Sequence, residues 1–168
     1  MLPDLSRIAP FYHNYINQVK EDNISKAFDR YSPALISFFE KIPAEKYDYR
    51  YAEGKWTIKE VLQHIIDAER IFCYRALRFA RKDTTPLSGF DENLFAENAK
   101  ITNRNWQDLL EEFKTVRKGS EYLFNSFDEE QLQLNGIASN TPTYVLGIGY
   151  ILIGHSVHHQ NVIQERYL

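Results

Sequence analysis

At 168 residues the chain fits one domain spanning 1–168, long enough to bury a sizeable core. With 20 Lys and Arg against 23 Asp and Glu, a net charge of −3 and a pI near 6.0, and with no basic stripe interleaved with aromatics, it has nothing to draw in a phosphate backbone, so nucleic acid is not an expected partner. The single cysteine, Cys73, forbids an intrachain disulfide, and Met1 to Arg7 lack the basic region and apolar run of a secretory signal, so the expected location is the cytoplasm.

Strand signals are nearly absent. The exception is Tyr47 to Tyr51, whose alternation fits an extended connector as well as a strand, so an all-α chain is expected. A short amphipathic helix is expected around Pro10 to Lys20. The first long helical region runs from about Ile24 to Ile42, where Ala27, Phe28, Tyr31, Leu35, Phe38, Phe39 and Ile42 recur at helical spacing and Pro43 ends the pattern. Pro33 lies inside it, so either Ser32 caps a fresh helix or the helix bends there.

The second long helix has the clearest start. Thr57 followed by Glu60 makes a capping box, with Trp56 placed to pack on Val61 as a hydrophobic staple. Ile58, Val61, Leu62, Ile65, Phe72, Ala76 and Phe79 carry its apolar stripe to Arg81-Lys82, and Asp83 to Gly89 break it. After a possible helical piece near Asp91 to Asn98, a third helix runs from about Asn105 to Asn125. Phe127 to Asn140 reads as a long connection, with Asn135-Gly136 and Ser139-Asn140 as turn signals. The last helix is expected to be capped by Thr141 with Pro142 in its first turn, and to run to about Glu165. Gly147 and Gly154, seven apart on one side of it, would admit a close neighbour. Four long helices with long connections suggest a bundle. The longest apolar stretch, Tyr144 to Gly154, is too short for the roughly 20 residues that a bilayer crossing takes, so no membrane span is expected.

Gly154-His155-Ser156-Val157-His158-His159 concentrates three of the five histidines in one short run. At about 100° per residue, Ile148, Ile151, Leu152, His155, His159 and Val162 share one side of the helix. Two imidazoles therefore point into a core, where a buried polar group without a partner costs roughly 2–7 kcal/mol. One metal ion would serve both. A catalytic site commonly takes three protein ligands and leaves a fourth position open, and His64, beside the apolar stripe of the second helix, is the best candidate for the third. Three neutral imidazoles leave the ion's charge intact, enough to bring a bound water towards a pKa of roughly 7 or to ionise a bound thiol.

Taken together, Gly54-Lys55-Trp56-Thr57-Ile58-Lys59-Glu60-Val61-Leu62-Gln63-His64-Ile65-Ile66-Asp67-Ala68-Glu69 and the histidine run resemble the DinB-like superfamily of metal-binding four-helix bundles, which includes thiol-dependent S-transferases, mycothiol-dependent maleylpyruvate isomerases and metal-dependent hydrolases. The likeness spans most of the chain. It implies an up-down-down-up bundle with a long crossover, a divalent ion held by His64, His155 and His159, and frequent homodimers. It does not choose a substrate.

Two functions follow. One is an enzyme using the ion to activate a low-molecular-weight thiol against an electrophile, or water for hydrolysis; three imidazoles suit zinc, nickel, iron or copper. The other is a non-catalytic binding or structural bundle, with a structural ion or none. His158, about 60° from His155, reads as a residue that supports the ligands from outside or lines the mouth, and Asp67 as a solvated residue or, as weaker alternatives, a hydrogen-bond partner that orients an imidazole or a base. His13 reads as a surface histidine, Cys73 as packing, and Trp106 and Phe90 as residues that could line a pocket mouth.

Overall fold

The computed structural model describes all 168 residues. Two single-turn 3-10 segments and a short helix, α1 (His13–Ile16), precede the first long helix, α2 (Ile24–Glu40). The other elements are α3 (Ile58–Ala80), α4 (Glu92–Asn98), α5 (Trp106–Asn125), α6 (Glu129–Leu132), a hairpin of β1 (Asn135–Ala138) and β2 (Thr141–Tyr144), and α7 (Val145–Arg166).

The start of α3 follows from its cap. The Glu60 backbone N–H donates to Thr57 Oγ1 at 3.1 Å and the Thr57 N–H donates to Glu60 Oε2 at 2.6 Å, so the predicted capping box is complete. Asp128 and Gln131 make a second capping box at α6, while the Asn23 and Asn105 side chains each accept one backbone N–H at the start of α2 and α5. α2 does not restart at Pro33; it runs through as one helix. Both Pro33 and Asp29, whose carbonyl loses its helical donor, are exposed, so the missing bond falls on the solvent side of the helix.

The long helices form a four-membered ring in which α2 and α3 each pack against both α5 and α7. Contacts at the ends give the directions. Tyr167, just past α7, donates from its hydroxyl to the Trp56 carbonyl, just before α3. Trp106 at the head of α5 meets Phe39 at the foot of α2, and Phe124 at the foot of α5 meets Phe28 near the head of α2. Tyr150, near the head of α7, donates from its hydroxyl to the Glu21 carbonyl just before α2, so α2 and α7 run one way and α3 and α5 the other, an up-down-down-up four-helix bundle. Because α3 and α5 are parallel, the chain from Arg81 to Asn105 must travel back along the bundle, and α4 rides on this crossover. Two apolar clusters fill the interior, one around Phe28, Phe79, Phe124 and Tyr150, the other around Leu35, Ile65, Phe113 and Ile163. Each such side chain contributes roughly 1.5–3 kcal/mol by leaving water.

α7 is the central element. Every residue from Val145 to Ser156 is buried, so the helix lacks a polar face until Val157. Its glycines explain how it is enclosed. A Cβ at Gly154 would overlap the Tyr15 backbone, and one at Gly147 would meet Ile8, so the N-terminal segment lies directly on α7. No helix is long and apolar enough to cross a membrane.

Two expectations are corrected. Residues 135–144 form an antiparallel hairpin, with Ala138 opposite Thr141 and Asn135 opposite Tyr144. Ser139 and Asn140 adopt φ of 52° and 60°, the left-handed pair that a tight two-residue turn requires, while Asn135-Gly136 lies in a strand. Thr141 and Pro142 are consequently strand residues, and α7 starts at Val145. Tyr47 to Tyr51 is a connector.

Candidate metal centre

His64 sits in the second turn of α3, fixed by the capping box, and His155 and His159 stand one turn apart on α7, which is antiparallel to α3 and packed on it. This packing brings the three rings together. Nε2 of His155 lies 2.9 Å from Nε2 of His64 and 3.1 Å from Nε2 of His159. One nitrogen from each ring lies within 4.8 Å of the others. A nitrogen carries either a proton or a free lone pair, so His155 Nε2 cannot donate to one neighbour while accepting from the other. A shared cation resolves the conflict, since each ring then offers a lone pair. Metal–nitrogen bonds of about 2.0–2.1 Å in a tetrahedral arrangement place ligand nitrogens about 3.3 Å apart, inside the observed spread. The donor set fits a divalent transition-metal ion.

Electrostatics favour the ligand form of each ring. Burial pushes His64 down to about 4 and holds His155 and His159 well below the ordinary imidazole range, with the neighbouring imidazoles adding to the effect. Glu92 acts in the opposite sense on His64. The rings are therefore neutral at neutral pH.

The surroundings are aromatic. Trp56 packs on His64 with ring centroids 4.8 Å apart, and Phe72 and Tyr15 meet the His155 ring edge-on at 5.8 and 5.4 Å. Behind His155, Arg117 on α5 donates to Glu69 Oε2 from Nη2 at 2.8 Å and from Nε at 3.2 Å, and from Nη2 also to Ser156 Oγ at 2.8 Å. Ser120 Oγ lies 2.6 Å from the other Glu69 oxygen. This buried ion pair joins α3, α5 and α7 directly beneath the histidines. In front of them opens a cavity of about 410 Å³ onto which all three histidines face, walled by Trp56, Phe72 and Phe90 and carrying Arg75 and Glu92. That size suits a small molecule.

The other sequence candidates lie elsewhere. Asp67 accepts from Gln63 Nε2 at 2.9 Å and faces a separate groove of about 640 Å³ with Arg70 and Arg104. His158 packs on Tyr15 and is not one of the three converging rings. His13 holds the N-terminal turn, its Nε2 lying 3.1 and 3.0 Å from the carbonyls of Leu5 and Ile8. Cys73 donates to Ser120 Oγ at 3.1 Å, and burial pushes its thiol up to about 12. Phe90 does line the cavity, whereas Trp106 does not: it is buried, stacked on Tyr47 with centroids 4.4 Å apart. Arg75 and Arg117, like Glu69 at the end of the α3 motif, are buried charges whose one sequence signal is their place on an otherwise apolar helical stripe. Glu92 and Ser139 reach the cavity from loops and a short helix, which periodicity does not register.

No curated protein matches the sequence. Among solved structures the chain is similar to YfiT from Bacillus subtilis, described as a probable metal-dependent hydrolase with an unusual four-helix bundle topology. The TM-score is 0.71 at 17% identity, over 94% of this chain and 87% of that one. The family model of the DinB superfamily matches residues 27–163, a span that holds all three converging histidines. The chain belongs to the DinB superfamily.

Proposed function

We propose that His64, His155 and His159 hold one divalent transition-metal ion, zinc or nickel in preference to iron or copper, and that the protein is a metal-dependent hydrolase acting on a small molecule in the adjoining cavity. The observation that carries this reading is the convergence of three neutral imidazole nitrogens within 4.8 Å at the wall of a cavity of about 410 Å³. When bound, the ion supplies Lewis acidity, which makes a nucleophile of coordinated water or thiol near neutral pH. The chain supplies the rest. Trp56 and Phe72 give the cavity apolar walls beside the rings, the Glu69–Arg117 pair locks the helices that carry them, and Glu92 is the carboxylate that lines the cavity and is placed to take up a proton. The structural neighbour described as a probable metal-dependent hydrolase agrees with this reading.

A second reading, transfer of a low-molecular-weight thiol to an electrophile, draws support from the size of the cavity, which has room for two small reactants. Cys73 is hydrogen-bonded to Ser120 and held as a thiol, so the sulfur would come from outside the chain. Purified protein tested on p-nitrophenyl esters, and on glutathione with a chloronitrobenzene electrophile, separates the two. The hydrolase reading expects ester cleavage that chelation abolishes and zinc or nickel restores. Activity in the thiol assay alone selects the transferase. Activity in neither, with an ion that stabilises the fold, selects a structural role.

A further inference from the structure

Arg75 is buried at 4% exposure and makes no ion pair. Its Nη2 donates to the Ser88 carbonyl at 3.0 Å and to Ser139 Oγ at 2.9 Å, both neutral acceptors. The comparison with Arg117 is direct: that guanidinium, equally enclosed, has Glu69 against it. A guanidinium does not lose its proton in a protein, and an enclosed charge without a counter-charge is costly. Arg75 nevertheless lines the cavity in front of the histidines. The hairpin turn at Ser139 and the loop at Ser88 hold it there, with the Phe90 ring 6.0 Å from its Cζ and the Tyr12 phenol beside it.

We infer that Arg75 is a binding residue for a carboxylate on the substrate, so that the molecule acted on is an elongated organic acid whose charged end lies at Arg75 and whose reacting bond lies at the histidines. The substrate class rests on the metal reading of His64, His155 and His159. Position along α3 sets an upper limit on the length. His64, Ala68, Phe72 and Arg75 are spaced i, i+4, i+8 and i+11, one face of the helix, and eleven residues rise about 16 Å. Between the charged end and the histidines the wall is Ala68 and Phe72, which suits a hydrocarbon chain. The fork of Nη and Nε donors matches a carboxylate in shape, and the single positive charge matches it in magnitude. A phosphate dianion fits less well, because Glu92 lines the same cavity.

The test is calorimetric titration of zinc-loaded protein with α,ω-dicarboxylates from succinate to sebacate, the matching monocarboxylates and the matching alkyl phosphates. Wild type is expected to bind a long dicarboxylate roughly 10- to 100-fold more tightly than the monocarboxylate of the same length, the value of one charge-assisted pairing. Arg75→Gln should erase that preference while retaining zinc and monocarboxylate binding; if Arg75→Gln fails to fold, Arg75→Lys should reduce the preference severalfold. An undiminished dicarboxylate preference in either folded variant, or tighter binding of the phosphates, overturns the assignment. The same comparison on zinc-stripped protein, using monocarboxylates, isolates Arg75. Loss of affinity there in Arg75→Gln supports the anchor even if the histidines take up no metal, and equal affinity counts against it.

Discussion

Arg117 Nη2 holds Glu69 Oε2 at 2.8 Å where both side chains are 1% exposed, so the bundle carries an ion pair with almost no water around it. Removing one partner leaves the other charge buried and alone. Glu69→Leu and Arg117→Met are each expected to destabilise the protein by about 3–5 kcal/mol. The double variant Glu69→Leu with Arg117→Met should recover most of the loss. Urea denaturation of the four proteins measures the coupling, and additive losses would show that the pair does not act as a unit.

Gly154 is required by the Tyr15 backbone, which occupies the space where a Cβ would stand. Gly154→Ala must push α1 off α7, at a cost of about 1–3 kcal/mol for overpacking. The Tyr15 ring would then leave His155 and His158, so tyrosine fluorescence and the melting temperature should change together. An unchanged melting temperature would mean that the N-terminal segment contributes little to closing the site.

Cys73 should be nearly inert in the folded protein. Burial holds its thiol at about 12, so almost no thiolate exists at pH 8. Iodoacetamide labelling, followed by mass spectrometry, is expected to be orders of magnitude slower in native buffer than in urea. Comparable rates would show that the α3–α5 contact opens readily.

The metal-free protein should lose stability in acid over a defined window. Burial holds His64 at about 4 in the folded chain, and His155 and His159 well below the ordinary imidazole value of about 6.5 to which an unfolded chain returns them. Below 6.5 the unfolded chain therefore binds more protons. The stabilisation from neutral rings is complete above that pH and falls as the pH drops towards 4, by about 1.4 kcal/mol per pH unit for each such ring. Excess zinc at pH 7.5 should raise the melting temperature, and at pH 5 it should do so less. Chemical denaturation at several pH values, with and without zinc, checks both slopes.

Much of the fold was legible because its signals are local. The capping box at Thr57 and Glu60 and the apolar stripes of α2, α3 and α5 depend only on near neighbours in the chain. The hairpin at 135–144 was not legible, since its strands hold four residues each and are stabilised by pairing and by Gly136 against Phe79. Thr141-Pro142 carries a helix-start pattern that this pairing overrides. At the site, the three converging histidines could be picked out because helical spacing and one facing helix suffice to bring them together. Arg75 and Glu92 could not be, because their place in the cavity depends on how the crossover and the hairpin turn close over α3.

The central claim is that three imidazoles share one cation. Zinc titration of chelator-stripped protein, followed by isothermal calorimetry, tests it directly on wild type and on His64→Ala, His155→Ala and His159→Ala, each verified as folded by circular dichroism. One ion per chain in wild type, with affinity weakened at least tenfold in every variant, is the predicted result. Wild-type affinity retained in all three variants, or no saturable binding in wild type, would contradict it.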